Sequence, residues 1–241
     1  MKKVLVLFLC CTLVGCVNKN TALVGTEHDI VTPEYSSPKS TSPEDKPNDN
    51  HIIIDGDSYL DANMSFGEAM NILQSTVMLG DDRLFGFVEN NIKQKDKVIY
   101  TVKEKVSWGT EQIESIKKQN PSVIIVSFGL YDLLNSNANR YAKDLKTLIE
   151  KLQKEMPEVP IICTSILKPN SKAIKEDRKL SKYDDFNNKA KIKLSSLNNV
   201  FYLDINGIVK EEHYKSDGVH FLEDFYKEWT IKLAEYIKDK Q

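Results

Sequence analysis

Arginine is nearly missing from this 241-residue chain: Arg83, Arg140 and Arg178 are the only three among 33 basic residues. Clusters of bidentate guanidinium clamps for phosphate are therefore excluded. A positive excess is lacking too. The basic residues face 35 acidic ones, for a formal net charge of −2, which excludes the basic footprint of a nucleic-acid binder. Cysteine is sparse and uneven, at Cys10, Cys11, Cys16 and Cys163, so no disulfide framework is expected. Nor does any apolar run reach the roughly 20 residues that span a bilayer. What remains, 41% hydrophobic and 28% charged, is the composition of an ordinary globular chain.

The apolar run that does exist sits at the start. Lys2 and Lys3 precede Val4–Val14, the pattern of a signal segment with a positive n-region and a short apolar h-region. It ends in Leu13-Val14-Gly15-Cys16, which resembles a bacterial lipobox. That resemblance implies cleavage before Cys16, lipidation of Cys16 and a membrane-anchored, extracytoplasmic protein. Removing residues 1–15 takes two lysines and no acid, so the charge moves from −2 to −4. With Cys16 acylated, Cys163 is left as one thiol inside an apolar run, expected to be a small buried hydrophobe. Residues 17–50 hold four of the eight prolines and one aromatic, Tyr35. Such a segment cannot bury enough apolar area to offset chain entropy, and reads as a disordered tether with a reach of about 30–35 Å.

Residues 51–241 alternate short β-rich runs with helical patterns. The predicted strands are Ile52–Ile54, Val98–Val102, Val123–Phe128, Val159–Ile166 and Val200–Ile205. They are continuous in Val and Ile rather than alternating, as parallel strands buried on both faces should be. Tyr141, Leu145, Leu148, Ile149 and Leu152 recur at helical spacing, as do Phe225, Trp229, Leu233 and Tyr236. The expectation is one α/β domain, a three-layer sandwich around a five-stranded parallel sheet.

In such a sheet function belongs at the carboxyl ends of the strands. There the sequence places Gly56-Asp57-Ser58, then Gly109, then Gly129-Leu130-Tyr131-Asp132, and finally Asp217-Gly218-Val219-His220. A serine hydroxyl needs a base, usually His, and the His needs a carboxylate to orient it. Ser58, His220 and Asp217 supply all three types. The oxyanion of acyl transfer needs donors, for which the backbone N–H groups of Ser58 and Gly109 are candidates. Gly109 also lacks a Cβ that would obstruct a substrate.

These four blocks, in this order, resemble the GDSL-type (SGNH) hydrolases over residues 51–241. The resemblance implies a flavodoxin-like sheet, an esterase or lipase that needs no metal and no cofactor, Ser58 as nucleophile, His220 as base and Asp217 as its orienting partner. The family's third block reads Gly-x-Asn-Asp, with the Asn donating to the oxyanion; here Tyr131 takes that place, and Asn135, one helical turn on, is a possible substitute. Small acyl esters, such as acetyl groups on envelope or extracellular glycans, are the expected substrates. A serine mechanism predicts a rate that rises through a His-like pKa, because the base must be neutral.

Each feature also has a plainer reading. Ser58 suits a helix N-cap, Asp57 a loop carboxylate, and His220 a satisfied buried histidine. His213, beside Glu211 and Glu212, reads as solvated. Trp108 and Tyr59 read as pocket or as packing. Two other functions compete. Asp55-Gly56-Asp57 after a strand suits a haloacid-dehalogenase-like phosphatase with Thr164-Ser165 as its phosphate-binding hydroxyls, and Tyr131 suits a surface domain of hydrolase fold that binds without catalysis.

Overall fold

The computed structural model describes residues 64–240. Cys16, the tether, the strand expected at Ile52–Ile54, and with them Asp55, Asp57, Ser58 and Tyr59, lie outside the described residues.

Five parallel strands form one sheet: β1 (Val77–Asp81), β2 (Val98–Thr101), β3 (Ile124–Ser127), β4 (Ile161–Thr164) and β5 (Val200–Leu203), in the order β2-β1-β3-β4-β5. Eight α-helices accompany them among the described residues: α1 (Phe66–Leu73), α2 (Phe85–Glu89), α3 (Ile113–Lys117), α4 (Leu130–Asn135), α5 (Ala138–Glu155), α6 (Ser171–Glu176), α7 (Tyr183–Leu194) and α8 (Glu223–Lys240). Alternate residues of each strand feed two separate cores. Val77, Leu79, Ile124, Val126, Ile161, Cys163 and Val200 pack under α3, α5 and α7. Met78, Ile125, Ile162 and Leu203 pack under α1 and α8. This is the three-layer sandwich that the continuous Val and Ile runs imply. The helical stripes of α5 and α8 are buried at the expected positions, and each fully buried Leu or Ile contributes about 1.5–3 kcal/mol.

β1 was not among the predicted strands, yet it is the one that pairs with both β2 and β3. Its sequence, Val-Met-Leu-Gly-Asp, has one β-branched residue and a glycine, so propensity hides it. The glycine is required by a close approach: a Cβ on Gly80 would lie 2.0 Å from the Ser127 carbonyl oxygen of β3. Gly80 therefore lets the two strands whose ends frame the site come together.

Candidate active site

The order β2-β1-β3 reverses the direction of strand addition between β1 and β3, and ligands bind at the carboxyl ends of strands at such a point. The chain leaving β1 is Gly80-Asp81-Asp82-Arg83, and the chain leaving β3 is Phe128-Gly129-Leu130-Tyr131. Gly129 has φ of +139°, and Ile166 fills the space a Cβ would need, at 2.4 Å. No other residue suits that turn.

Asp81 builds the floor. Its carboxylate receives the Arg83 Nε and Nη2 at 3.1 and 2.8 Å and the Leu130 N–H at 3.0 Å, while Arg83 Nη1 donates to the Leu167 carbonyl at 3.3 Å. The ends of β1, β3 and β4 are thus tied by one buried ion pair, and Tyr226 Oη on α8 adds a bond to the Arg83 carbonyl at 2.7 Å. Burial alone would raise the Asp81 pKa, but the guanidinium and these donors outweigh it and hold the carboxyl below its usual range. Asp132, in α4, is buried as well and accepts the Val106 N–H at 3.0 Å. Burial outweighs the Val106 N–H and the Lys105 charge, which oppose it, and lifts the Asp132 carboxyl to about 7.

Above this floor lies His220. Its Nδ1 lies 2.7 Å from Asp217 Oδ2, while the other Asp217 oxygen accepts the Val219 and His220 N–H groups at 3.0 and 2.9 Å. Burial would raise Asp217, yet those donors keep it low. The sequence-derived pair is therefore assembled, with the carboxylate orienting the ring. On the far side, His220 Nε2 lies 3.5 Å from Asp82 Oδ2. The nearby Asp82 carboxylate, opposed by partial burial and reinforced by Asp217, raises the His220 pKa. Side-chain exposures of 26% for Asp82, 30% for His220 and 48% for Asp217 leave the cluster open to water and ligand.

Sequence reasoning missed Asp82. The resemblance expects a serine after Gly-Asp at the end of the first strand; among the described residues Gly80-Asp81 ends that strand, and Asp82 follows it. The signal that would have found it is the second Gly-Asp pair, overlooked because its strand was.

The remaining candidates fall out as follows. Gly109 is buried in the 3₁₀ segment Val106–Gln112, where a Cβ would meet Leu148 Cδ2 at 2.8 Å and Leu79 Cδ2 at 3.3 Å. Its missing side chain accommodates the core rather than a substrate, which corrects the reason given for it. Tyr131 is half-buried near the start of α4. Asn135 is exposed and donates its amide to the Tyr131 carbonyl at 3.1 Å, so that amide is engaged within its own helix. Trp108 packs on the core, edge-on to Phe128. His213 is buried rather than solvated, accepting the Lys210 N–H through Nδ1 at 3.3 Å and packed on Phe225. Ser165 donates to Asp204 and accepts from the Ile205 N–H and Asn206 Nδ2, which commits that hydroxyl to loop structure rather than to a phosphate. Cys163 is buried, and burial pushes its thiol up, as an inert core residue requires. Among the described residues no cluster of three or more His, Cys, Asp or Glu side chains is disposed to hold a metal ion.

Solved structures share the fold. A GDSL-like lipase from Bacteroides thetaiotaomicron superposes with a TM-score of 0.56 at 14% identity, covering 70% of this chain and 89% of its own. An acylhydrolase, so described provisionally, from Bacteroides fragilis gives 0.56 at 13%, covering 69% and 88%. The lipase/acylhydrolase of Enterococcus faecalis gives 0.54 at 16%, covering 68% and 96%. No curated protein matches the chain. In sequence, the family described as GDSL-like Lipase/Acylhydrolase matches residues 52–233. A parallel sheet in this strand order, an Asp–His pair before the last helix and a match over most of the length lead to one conclusion: this chain belongs to the GDSL-like lipase/acylhydrolase family, hydrolases that act on ester bonds.

Proposed function

We propose that this protein is a lipid-anchored ester hydrolase of the extracytoplasmic face, with His220, oriented by Asp217, moving the proton of the reaction. The observation that carries the reading is the 2.7 Å contact from Asp217 to His220 Nδ1, which leaves Nε2 facing the strand ends. Anchoring rests on the lipobox-like Leu13–Cys16 and the proline-rich residues 17–50. A tether of about 30–35 Å reach favours an immobile neighbour as substrate, and small acyl groups such as acetyl on an envelope or extracellular glycan fit that description. The test is turnover of aryl and alkyl acetates by the full chain in detergent. His220→Ala is expected to lose about 10²–10⁴-fold; equal turnover by the variant would remove His220 from the reaction.

A specific observation supports a second reading of the nucleophile. The family match begins at residue 52 and so includes Gly56-Asp57-Ser58. In that reading Ser58 attacks, with Gly109, Tyr131 and Asn135 as oxyanion candidates. Labelling by a fluorophosphonate, mapped to the Ser58 peptide and abolished in Ser58→Ala, is its signature.

A further inference from the structure

The residue facing His220 Nε2 is a carboxylate, and this reverses the polarity of the site. A hydroxyl in that position gives up a proton to a neutral imidazole. An ionised carboxylate has no proton to give, and its charge instead favours a proton held on the ring. The charged groups facing the ring are Asp82, from the end of β1, and Asp217, from its own loop. Among the described residues no cation pairs directly with either: Arg83, which acts on Asp82 only at a distance, is turned to Asp81 and the Leu167 carbonyl, and Lys215 reaches Glu89. An imidazole between two carboxylates holds its proton, and the ring titrates above its usual value in consequence. In its protonated form the ring is an acid, with a base 3.5 Å away. That spacing exceeds the roughly 2.7–2.9 Å of a charge-assisted hydrogen bond, so the proton on Nε2 is not locked to Asp82, and a substrate oxygen can accept it.

We propose that Asp82 and His220 act as a general base and a general acid that hydrolyse an ester in a single displacement, with no acyl-enzyme. The inference rests on the ester-hydrolase reading above. The Asp82 carboxylate takes a proton from water as the water oxygen bonds to the acyl carbon. As the tetrahedral species collapses, the carbon–oxygen bond to the alcohol breaks, and His220 Nε2–H protonates the departing alkoxide. Acid and alcohol leave. Asp82, now protonated, returns its proton to His220 once the pair closes from 3.5 Å to hydrogen-bond distance, which resets both groups. Asp217 stays ionised throughout and keeps the ring in place.

This scheme differs from a serine mechanism in the sign of its pH dependence. It needs His220 protonated and Asp82 ionised, so turnover of alkyl acetates should fall tenfold per pH unit above the His220 pKa, where a serine mechanism rises to a plateau. The full chain should turn over without fluorophosphonate labelling and without a burst of alcohol. Asp82→Asn, nearly isosteric, should lose at least 10²-fold with an unchanged melting curve, while Asp82→Ser should acquire probe labelling at residue 82 and a rate that rises with pH. Single turnover in ¹⁸O-water should leave Asp82 unlabelled. Label in Asp82 would make it a nucleophile and overturn the single displacement. Wild-type labelling at Ser58 would overturn this inference and leave the ester-hydrolase reading standing. A wild type inert at every pH, with an active Asp82→Ser variant, would overturn both.

Discussion

Replacing Arg83 with methionine removes one half of the ion pair beneath the site and fills much the same volume. Arg83 and Asp81 are both buried to within 3% of full enclosure, so the charge left on Asp81 has no solvent to fall back on. Of its four hydrogen bonds, the two from the guanidinium vanish, and the Arg83 and Leu130 N–H groups remain. The Leu167 carbonyl loses its donor as well. Breaking a buried pair from one side costs about 3–5 kcal/mol, which for a domain of this size corresponds to a fall of roughly 6–20 °C in Tm. The sign of the pH dependence is specific. In the wild type the Asp81 pKa is depressed, so its contribution is present above the unfolded-state value near 4 and is lost as pH falls through the folded value. In Arg83→Met the uncompensated carboxyl gains by protonation, so the deficit should be largest at pH 7 and narrow toward pH 5. Asp81→Asn added to Arg83→Met should recover part of the loss, because no charge is then stranded. Urea unfolding followed by circular dichroism at several pH values measures all three proteins. A deficit below about 1 kcal/mol, or one that widens toward acid pH, would show that the pair behaves as a surface pair and would refute the account of the floor.

Three further outcomes follow from neighbouring residues. Asp132 is raised by burial to about 7; an acid with an elevated folded pKa favours the fold below that value, so stability should fall as pH rises from about 4 to 7, by up to about 4 kcal/mol. Asp132→Asn should flatten that slope in urea unfolding, since the amide oxygen can still accept the Val106 N–H. Gly80→Ala sets a Cβ 2.0 Å from the Ser127 carbonyl oxygen, where backbone must shift, and should cost about 1–3 kcal/mol together with most activity; unchanged unfolding would place the β1–β3 approach elsewhere. Asp217→Asn removes one of the two carboxylates on His220 and should lower the ring's pKa, read directly by NMR titration of the imidazole, with a loss of turnover of about 10²-fold or more.

What the sequence revealed and what it hid follow from the same physics. β2 to β5 are legible because each is a run of Val, Ile and aromatic residues, and α5 and α8 because their apolar stripes keep helical spacing. Asp217 and His220 are legible because a carboxylate three residues before a histidine can orient it within one loop. β1 is hidden because Met78, Leu79 and Gly80 carry no strand signature, and the need for Gly80 arises only from contact with β3. Asp82 went unseen with it: its significance comes from an approach to His220 across most of the chain, which no local pattern encodes. His213 shows the reverse error, since two neighbouring glutamates suggest solvent while Phe225 covers the ring.

That long-range approach also bears on the order of assembly. Each of the pairs β1–β2, β3–β4 and β4–β5 joins strands consecutive in the chain, so most of the sheet closes through single helical crossovers. The site does not. Tyr226 reaches Arg83 across 143 positions, and the loop that carries His220 docks against the end of β1 over nearly the same span. Closure of so long a loop adds entropy cost and comes late. A chain that has paired its strands but not yet seated α8 on α1 therefore has a sheet and no active site, and chemistry at His220 reports the completed fold rather than any part of it.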